Sequence, residues 1–344
     1  MRFAAASALL LSALFLGCNS GTTPNSGTSN TGKSGVAVNL LNVSYDPTRE
    51  LWKELNSSFA AARSKETGDT ITIKQSHGGS GSQARSVIDG LEADVVSLAL
   101  WSDTDQLRKK GLIKEGWEDR FPNRSLPYTS TIVFVVRKGN PKGIKDWQDL
   151  VKSNIEIITP SPKTSGNGKL AFLAAWGSVI LNGGTEDQAK EFITQIYQRT
   201  PTLEAGARGA TTTFAQKGQG DVHLTWENEA HLEVAESKGD LEIIYPSRSF
   251  LAEPHVAVVD DYAGKKGTTE VAEAYLKFLY TQEGQEIIAK HFYRPTNAEF
   301  LAKHRQQFPE IKLFSITEIS KGWDDAQARF FAEGALFDTI YQSK

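Results

Sequence analysis

From residue 36 onward, short apolar runs alternate with amphipathic stretches, and this alternation restricts the possible folds more than any other feature of the chain. Runs with the length and β-branched content of strands fall at residues 36–43, 70–74, 94–100, 131–137, 155–159, 221–225, 241–245 and 256–260. Between them, residues 47–65 place Leu51, Leu55, Phe59 and Ala62 at helical spacing. Asp46 is the expected N-cap of that helix and Pro47 suits its first position. Residues 170–181, 186–198, 227–237, 271–279 and 283–289 read as helices by the same spacing. Strands alternating with helices predict an α/β fold with mostly parallel sheets flanked by helices. At roughly 150 residues per domain, a chain of 344 residues favours two domains. Pro127 and Pro254 each precede an apolar β-rich run and mark two crossings between them. The expected partition is 36–128 and 256–344 in a first lobe, and 129–255 in a second.

Composition removes several classes of function. Lys and Arg total 38 against 41 Asp and Glu, for a net charge of −3, which argues against a nucleic-acid partner. A single cysteine forbids a disulfide framework, and none of the six histidines has the spacing of a metal site, so no metal or cofactor is expected. Residues 1–17 have Arg2 followed by a short apolar stretch, the pattern of a secretory signal peptide. The only cysteine, Cys18, follows at once, and its placement resembles the lipobox of bacterial lipoproteins, in which that cysteine carries the lipid. Phe15 and Leu16 depart from the residues that pattern prefers. Residues 18–35 are the lipidated Cys18 and a tether rich in Ser, Thr, Gly and Asn, with too little apolar surface to offset its chain entropy. The expected location is periplasmic, anchored to the membrane as a lipoprotein.

Three Gly-rich segments carry what chemistry the sequence offers: residues 75–82 (QSHGGSGS), 160–168 (PSPKTSGNG) and 204–212 (EAGARGATT). The first two follow a strand, and all three open a helix, where backbone N–H groups stand unpaired and can meet an anion. Enzyme and nucleotide readings of these loops fail. The first lacks both G-x-S-x-G and the Gly-Lys-Ser/Thr of a phosphate-binding loop. The looser G-x-G-x-x-A occurs twice, at Gly79, Gly81, Ala84 and at Gly166, Gly168, Ala171, and therefore discriminates little. Glu227 and Glu229 beside Trp226 sit two apart on a predicted helix, so they do not face each other as an acid/base pair.

Together these segments resemble the bacterial sulfate-binding proteins of ATP-binding-cassette importers. The resemblance rests on residues 42–51 (NVSYDPTREL), 75–81 (QSHGGSG), 92–100 (EADVVSLAL), 127–141 (PYTSTIVFVVRKGNP) and 158–177 (ITPSPKTSGNGKLAFLAAWG). It continues through 206–209 (GARG), 226–230 (WENEA), 251–254 (LAEP), 283–286 (EGQE) and 292–295 (FYRP) with Asn297. It implies a two-lobed type II periplasmic-binding-protein fold with the ligand in the cleft between lobes. The implied ligand donors are Ser80, Ser165 (hydroxyl and amide), the Gly166, Asn167 and Ala207 amides, and the Trp226 indole. Asp46, His77 and Arg208 are expected behind them, Asp46 as a helix N-cap or loop organiser and Arg208 tying down its loop. The family usually has Gly where Asn167 stands, so the Asn167 side chain must turn away. The implied partners are sulfate and the transmembrane permease subunits of the importer. Thiosulfate, or molybdate or tungstate, is the alternative ligand. A serine-dependent esterase or a sulfotransferase using Ser80 or Ser165 is the enzyme rival, although no base stands near either serine in sequence.

Overall fold

The computed structural model describes residues 35–152 and 154–341; the signal segment, Cys18 and the tether through residue 34 lie outside the described residues. β1 (Ala37–Tyr45) passes through a tight turn, Asp46–Thr48, into α1 (Arg49–Thr67), and β2 (Thr70–Gly78) into α2 (Ser80–Ile88). β3 (Val95–Leu98), α3 (Trp101–Lys109) and the short turn α4 (Pro122–Ser125) complete the first stretch. β4 (Tyr128–Thr129) then leads across to β5 (Ile132–Arg137), β6 (Ile157–Pro160), α5 (Gly166–Ile180) and α6 (Glu186–Gln198). β7 (Leu203–Glu204), α7 (Ala207–Thr211), β8 (Val222–Trp226), α8 (Glu227–Glu236), β9 (Leu241–Ile244) and β10 (Arg248–Phe250) follow. β11 (His255–Val258), α9 (Asp260–Lys266), α10 (Thr269–Phe278), α11 (Gln282–Lys290), β12 (Arg294–Pro295) and α12 (Ala298–Lys303) come next, then β13 (Lys312–Phe314), α13 (Trp323–Ala326) and α14 (Leu336–Ile340).

All eight expected strands form, and they divide into two sheets. The first has the order β11-β3-β1-β2 and the second β7-β6-β8-β5-β9. β1 runs parallel to β2 and β3, and β6 parallel to β7 and β8. β5 and β11 run antiparallel to their neighbours, so each sheet is mostly parallel with one reversed strand. The cause is the path of the chain. β5 and β11 are the strands that follow the two crossings, and each enters its sheet from the other side. The crossings touch at a bridge between Ser130 and Ala252, and β4 pairs with β12 beside it.

Strand sequences show why both sheets are covered on both faces. Ile132, Phe134 and Val136 of β5 pack into one core, while Val133 and Val135 pack into another. In β3 and β11, Val95, Val256 and Val258 face one side, and Val96, Leu98 and Ala257 the other. A strand buried on both faces reads as a continuous apolar run, and these do.

The expected partition differs at its C-terminal end. β13 pairs with β10 rather than joining the first sheet. Phe314, Phe330, Phe331 and Phe337 pack in the same core as Phe172, Trp176 and Tyr197. The reason lies in α5, whose residues Gly166 through Ser178 are all buried. One face of that helix meets the second sheet, and its opposite face is apolar as well. The returning C-terminal segment covers it, with the Phe330 and Phe331 rings packing tilted and edge-on against Phe172 at 5.4 and 5.2 Å. Among the described residues no helix is long and apolar enough to cross a membrane.

Candidate functional site

The segments that meet between the two sheets all leave the C-terminal ends of strands: β1, β2, β6, β7 and β8. Open α/β sheets collect ligands at these ends, where the helices that follow present unpaired N–H groups. Here they converge on a narrow gap of about 150 Å³ between atoms, part of it open to solvent. Ser80, Ser165, Gly166, Asn167, Ala207 and Trp226, read from the sequence as ligand donors, all line this cleft.

Four helices begin here without a side-chain cap: α2 after Gly79, α5 after Ser165, α7 after Gly206 and α8 after Trp226. The amides of Ser80, Gly166, Asn167 and Ala207 lie in first turns, where no carbonyl four residues back can accept from them. The Trp226 indole N–H is fully buried and has no acceptor. A buried donor left unpaired costs about 1–3 kcal/mol, so this group calls for an acceptor in the cleft.

The structure also sorts the serine donors. The Ser80 hydroxyl donates to Asp103 Oδ2 at 2.6 Å and accepts from the Ala99 amide at 3.0 Å, which leaves its backbone amide for the cleft. At Ser165 the reverse holds. Its amide, expected as a donor, is taken by the Ser161 carbonyl at 2.9 Å, and only the hydroxyl remains. Asn167 adopts ordinary helical geometry as the second residue of α5, and its Nδ2 turns away to donate to the Leu224 carbonyl at 2.9 Å.

Asp46 does not cap α1. Its Oδ1 accepts from Arg49 Nη2 at 2.8 Å. Its Oδ2 lies so close to Gly206 that an added Cβ there would come within 2.3 Å. His77 stays behind the cleft, its Nδ1 2.7 Å from the Ser44 hydroxyl and its Nε2 2.6 Å from Gln75 Oε1. Burial and the nearby Arg49 charge push it down to about 4, so it is neutral at physiological pH. Arg208 reaches Glu50 at 3.0 Å and Glu229 at 3.2 Å. Burial raises Glu229 to about 8, with Arg208 pulling the other way. Lys169 meets Asp103 at 3.3 Å behind Ser80. Arg49, Arg208 and Lys169 are thus each paired with an acid, and the groups facing the space are mostly neutral donors.

The glycines set how closely the walls approach. A Cβ on Gly79 would stand 2.4 Å from the Thr164 carbonyl, and one on Gly166 2.4 Å from Ala99 Cβ. Sequence reasoning missed Tyr45, which lines the cleft and packs its ring 5.2 Å from Trp226. It also missed Asp103, which redirects the Ser80 hydroxyl. Tyr45 sits within the recognised NVSYDPTREL block, yet no local signal marks its ring as a wall.

Residues 40–294 match the model of a family described as bacterial extracellular solute-binding proteins. The chain is 54% identical over 306 residues to the sulfate-binding protein of Escherichia coli K12, an alignment covering 88% of this chain and 93% of that protein. It is 49% identical over 312 residues to the thiosulfate-binding protein of Pseudomonas aeruginosa, covering 90% and 94%. The solved structure of the sulfate-binding protein SubI from Mycobacterium tuberculosis H37Rv superposes with a TM-score of 0.77 at 30% identity, covering 85% of this chain and 99% of that one. Its two sheets, joined by paired crossings with a cleft at their strand ends, are those of the type II periplasmic binding fold. With three quarters of its length inside the family model and a relative so similar over most of the chain, this protein belongs to the bacterial extracellular solute-binding proteins.

Proposed function

We propose that this protein is an extracytoplasmic sulfate receptor that delivers its anion to the permease of an ATP-binding-cassette importer. The observation that carries the reading is the buried Trp226 indole N–H, left without an acceptor at a small cleft where four uncapped helices begin. Sulfate is fully ionised at pH 7 and offers only acceptors, which suits the Ser80, Gly166, Asn167 and Ala207 amides, the Ser165 hydroxyl and the Trp226 indole. About six hydrogen bonds to a charged acceptor, each worth ~1.5–3 kcal/mol, reach the ~8 kcal/mol of micromolar binding before ordering costs. Arg49, Lys169 and Arg208 are already paired with acids, so the site relies on neutral donors.

The reading extends to parts of the chain outside the described residues. Cys18 is the lipid anchor, residues 19–35 link it to the receptor, and the location is periplasmic. The lobes are residues 36–128 with 256–311, and 129–255 joined by 312–341. Rotation about the crossings opens the cleft, and closure brings Gly79 against Thr164 and Asp46 against Gly206. Thiosulfate is the second reading, favoured by the similarity to the Pseudomonas aeruginosa thiosulfate-binding protein.

Calorimetric titration of the purified protein, stripped of bound anion, tests this. Sulfate should bind, phosphate should not, and Ser165→Ala with Trp226→Phe should lower affinity at least tenfold, or ~1.4 kcal/mol, without unfolding. Preference for thiosulfate over sulfate would move the assignment to the second reading, and unchanged affinity in the double variant would remove both residues from the site.

A further inference from the structure

The Trp226 indole hangs from the junction of β8 and α8, where Trp226 pairs with Ile132 across the sheet and three further contacts hold the chain. The Glu227 amide donates to the Thr131 carbonyl at 3.0 Å, the Tyr45 ring packs on the indole, and the Glu227 side chain, wholly buried, is gripped from outside the second sheet. The grip is Arg294. Its Nε and Nη2 donate to Glu227 Oε2 and Oε1 at 2.6 and 2.8 Å, a two-point clamp. The same Nη2 donates to the Pro309 carbonyl at 2.9 Å, and the guanidinium lies over the Phe308 ring at 5.5 Å. Arg294 itself is fixed because its strand, β12, pairs with β4 on the first crossing. The residue next to the unpaired indole is therefore tied to the pivot between the sheets, across 67 positions of sequence.

We infer that Arg294 is a positioning residue for the cleft: through Glu227 it aims the Trp226 indole N–H at the bound anion. A planar guanidinium holds a carboxylate in one orientation at two points, which a lysine ammonium cannot do. Glu227 is the first residue of α8 and adjoins Trp226, so the clamp anchors the helix start from which the indole departs. Arg294 touches no cleft-lining group itself, and its whole effect passes through Trp226.

This inference rests on the proposed function, and a double-variant cycle separates the two. Sulfate affinity is measured for the unaltered protein, Arg294→Lys, Trp226→Phe and the combination, with thermal unfolding of each. The expected result is a loss of about tenfold for Arg294→Lys when Trp226 is present, the scale of one charge-assisted hydrogen bond, and none in the Trp226→Phe background. The same loss in both backgrounds, or no loss in either, overturns the inference and leaves the function intact. Absence of sulfate and thiosulfate binding by the unaltered protein sinks the function itself. Should Arg294→Lys fail to fold, Glu227→Gln with Arg294→Gln, an uncharged pair of similar shape, is read in the same cycle. If neither folds, the clamp is a folding element and the inference falls.

Discussion

Helices that build the scaffold and helices that face the cleft begin in different ways. α6 is closed by Thr185, whose hydroxyl accepts from the Gln188 amide while Gln188 reaches back to the Thr185 amide. Thr281 closes α11, and Asn297 accepts from two amides at the start of α12. At the cleft, α2, α5, α7 and α8 have no such closure. Ser165 is the telling member, because serine is a strong capping residue and stands in the capping position of α5 without capping it. α3, α9 and α10 also start uncapped, so a bare helix start alone marks nothing. What distinguishes the cleft is that four of them converge on one small space.

The largest effect should come from closing that space. Gly166→Ala puts a Cβ 2.4 Å from Ala99 Cβ and 3.4 Å from Ser80 Cβ, so the walls can meet only if backbone shifts. Anion affinity should fall about a hundredfold or more, ~2.7 kcal/mol, with the unfolding midpoint of the anion-free protein little changed. Calorimetry and thermal melts of the same sample read both numbers. Undiminished affinity would mean that the helix starts do not close on the ligand.

The middle-sized effect tests the contrast itself. Thr185→Ala removes a scaffold cap and should cost ~1 kcal/mol of stability with no change in anion affinity. Ser165→Ala removes a hydroxyl from the same position of α5 and should do the opposite, weakening the anion while leaving the stability of the empty protein unchanged. Denaturant unfolding with and without sulfate separates the two. If Ser165→Ala destabilises the empty protein as Thr185→Ala does, the hydroxyl is a cap after all.

Much of this was readable in the sequence, for a physical reason. Strands such as β5 are covered on both faces, so burial leaves a continuous apolar run, and helix starts at the cleft must be small, so Gly79, Gly166 and Gly206 appear. The assignment of single donors was not readable. Which group of Ser80 is available depends on Asp103, 23 positions away, and which group of Ser165 depends on the fold of its loop onto the Ser161 carbonyl. The return of Phe330, Phe331 and Phe337 to the second core escaped notice because aromatic spacing reports burial without naming the core. The same holds for Arg294 and Glu227, whose pairing depends on the crossing geometry alone.

The smallest effect distinguishes how the two regions respond to acid. The cleft donors are amides, a hydroxyl and an indole, none of which titrates near neutrality, so nothing in the donor set makes anion affinity depend on pH in that range. The scaffold does carry such a group. His255 is buried edge-on against Trp117 at 5.6 Å with its Nδ1 unpaired, and burial pushes it down to about 4. Its folded value lies below the ordinary ~6.5, so the unfolded chain takes up the proton first. The stability of neutral His255 is complete above pH ~6.5 and is lost progressively as pH falls from there toward 4. His255→Phe keeps the ring packing and removes the proton. Relative to the unaltered protein, the variant should gain stability on acidification, about 0.8 kcal/mol by pH 6 compared with pH 8. Denaturant melts at the two pH values give this difference, in which titrating groups common to both proteins cancel. A difference that stays constant with pH would show that His255 already carries its proton in the fold, and that burial at this edge of the first sheet does not exclude charge.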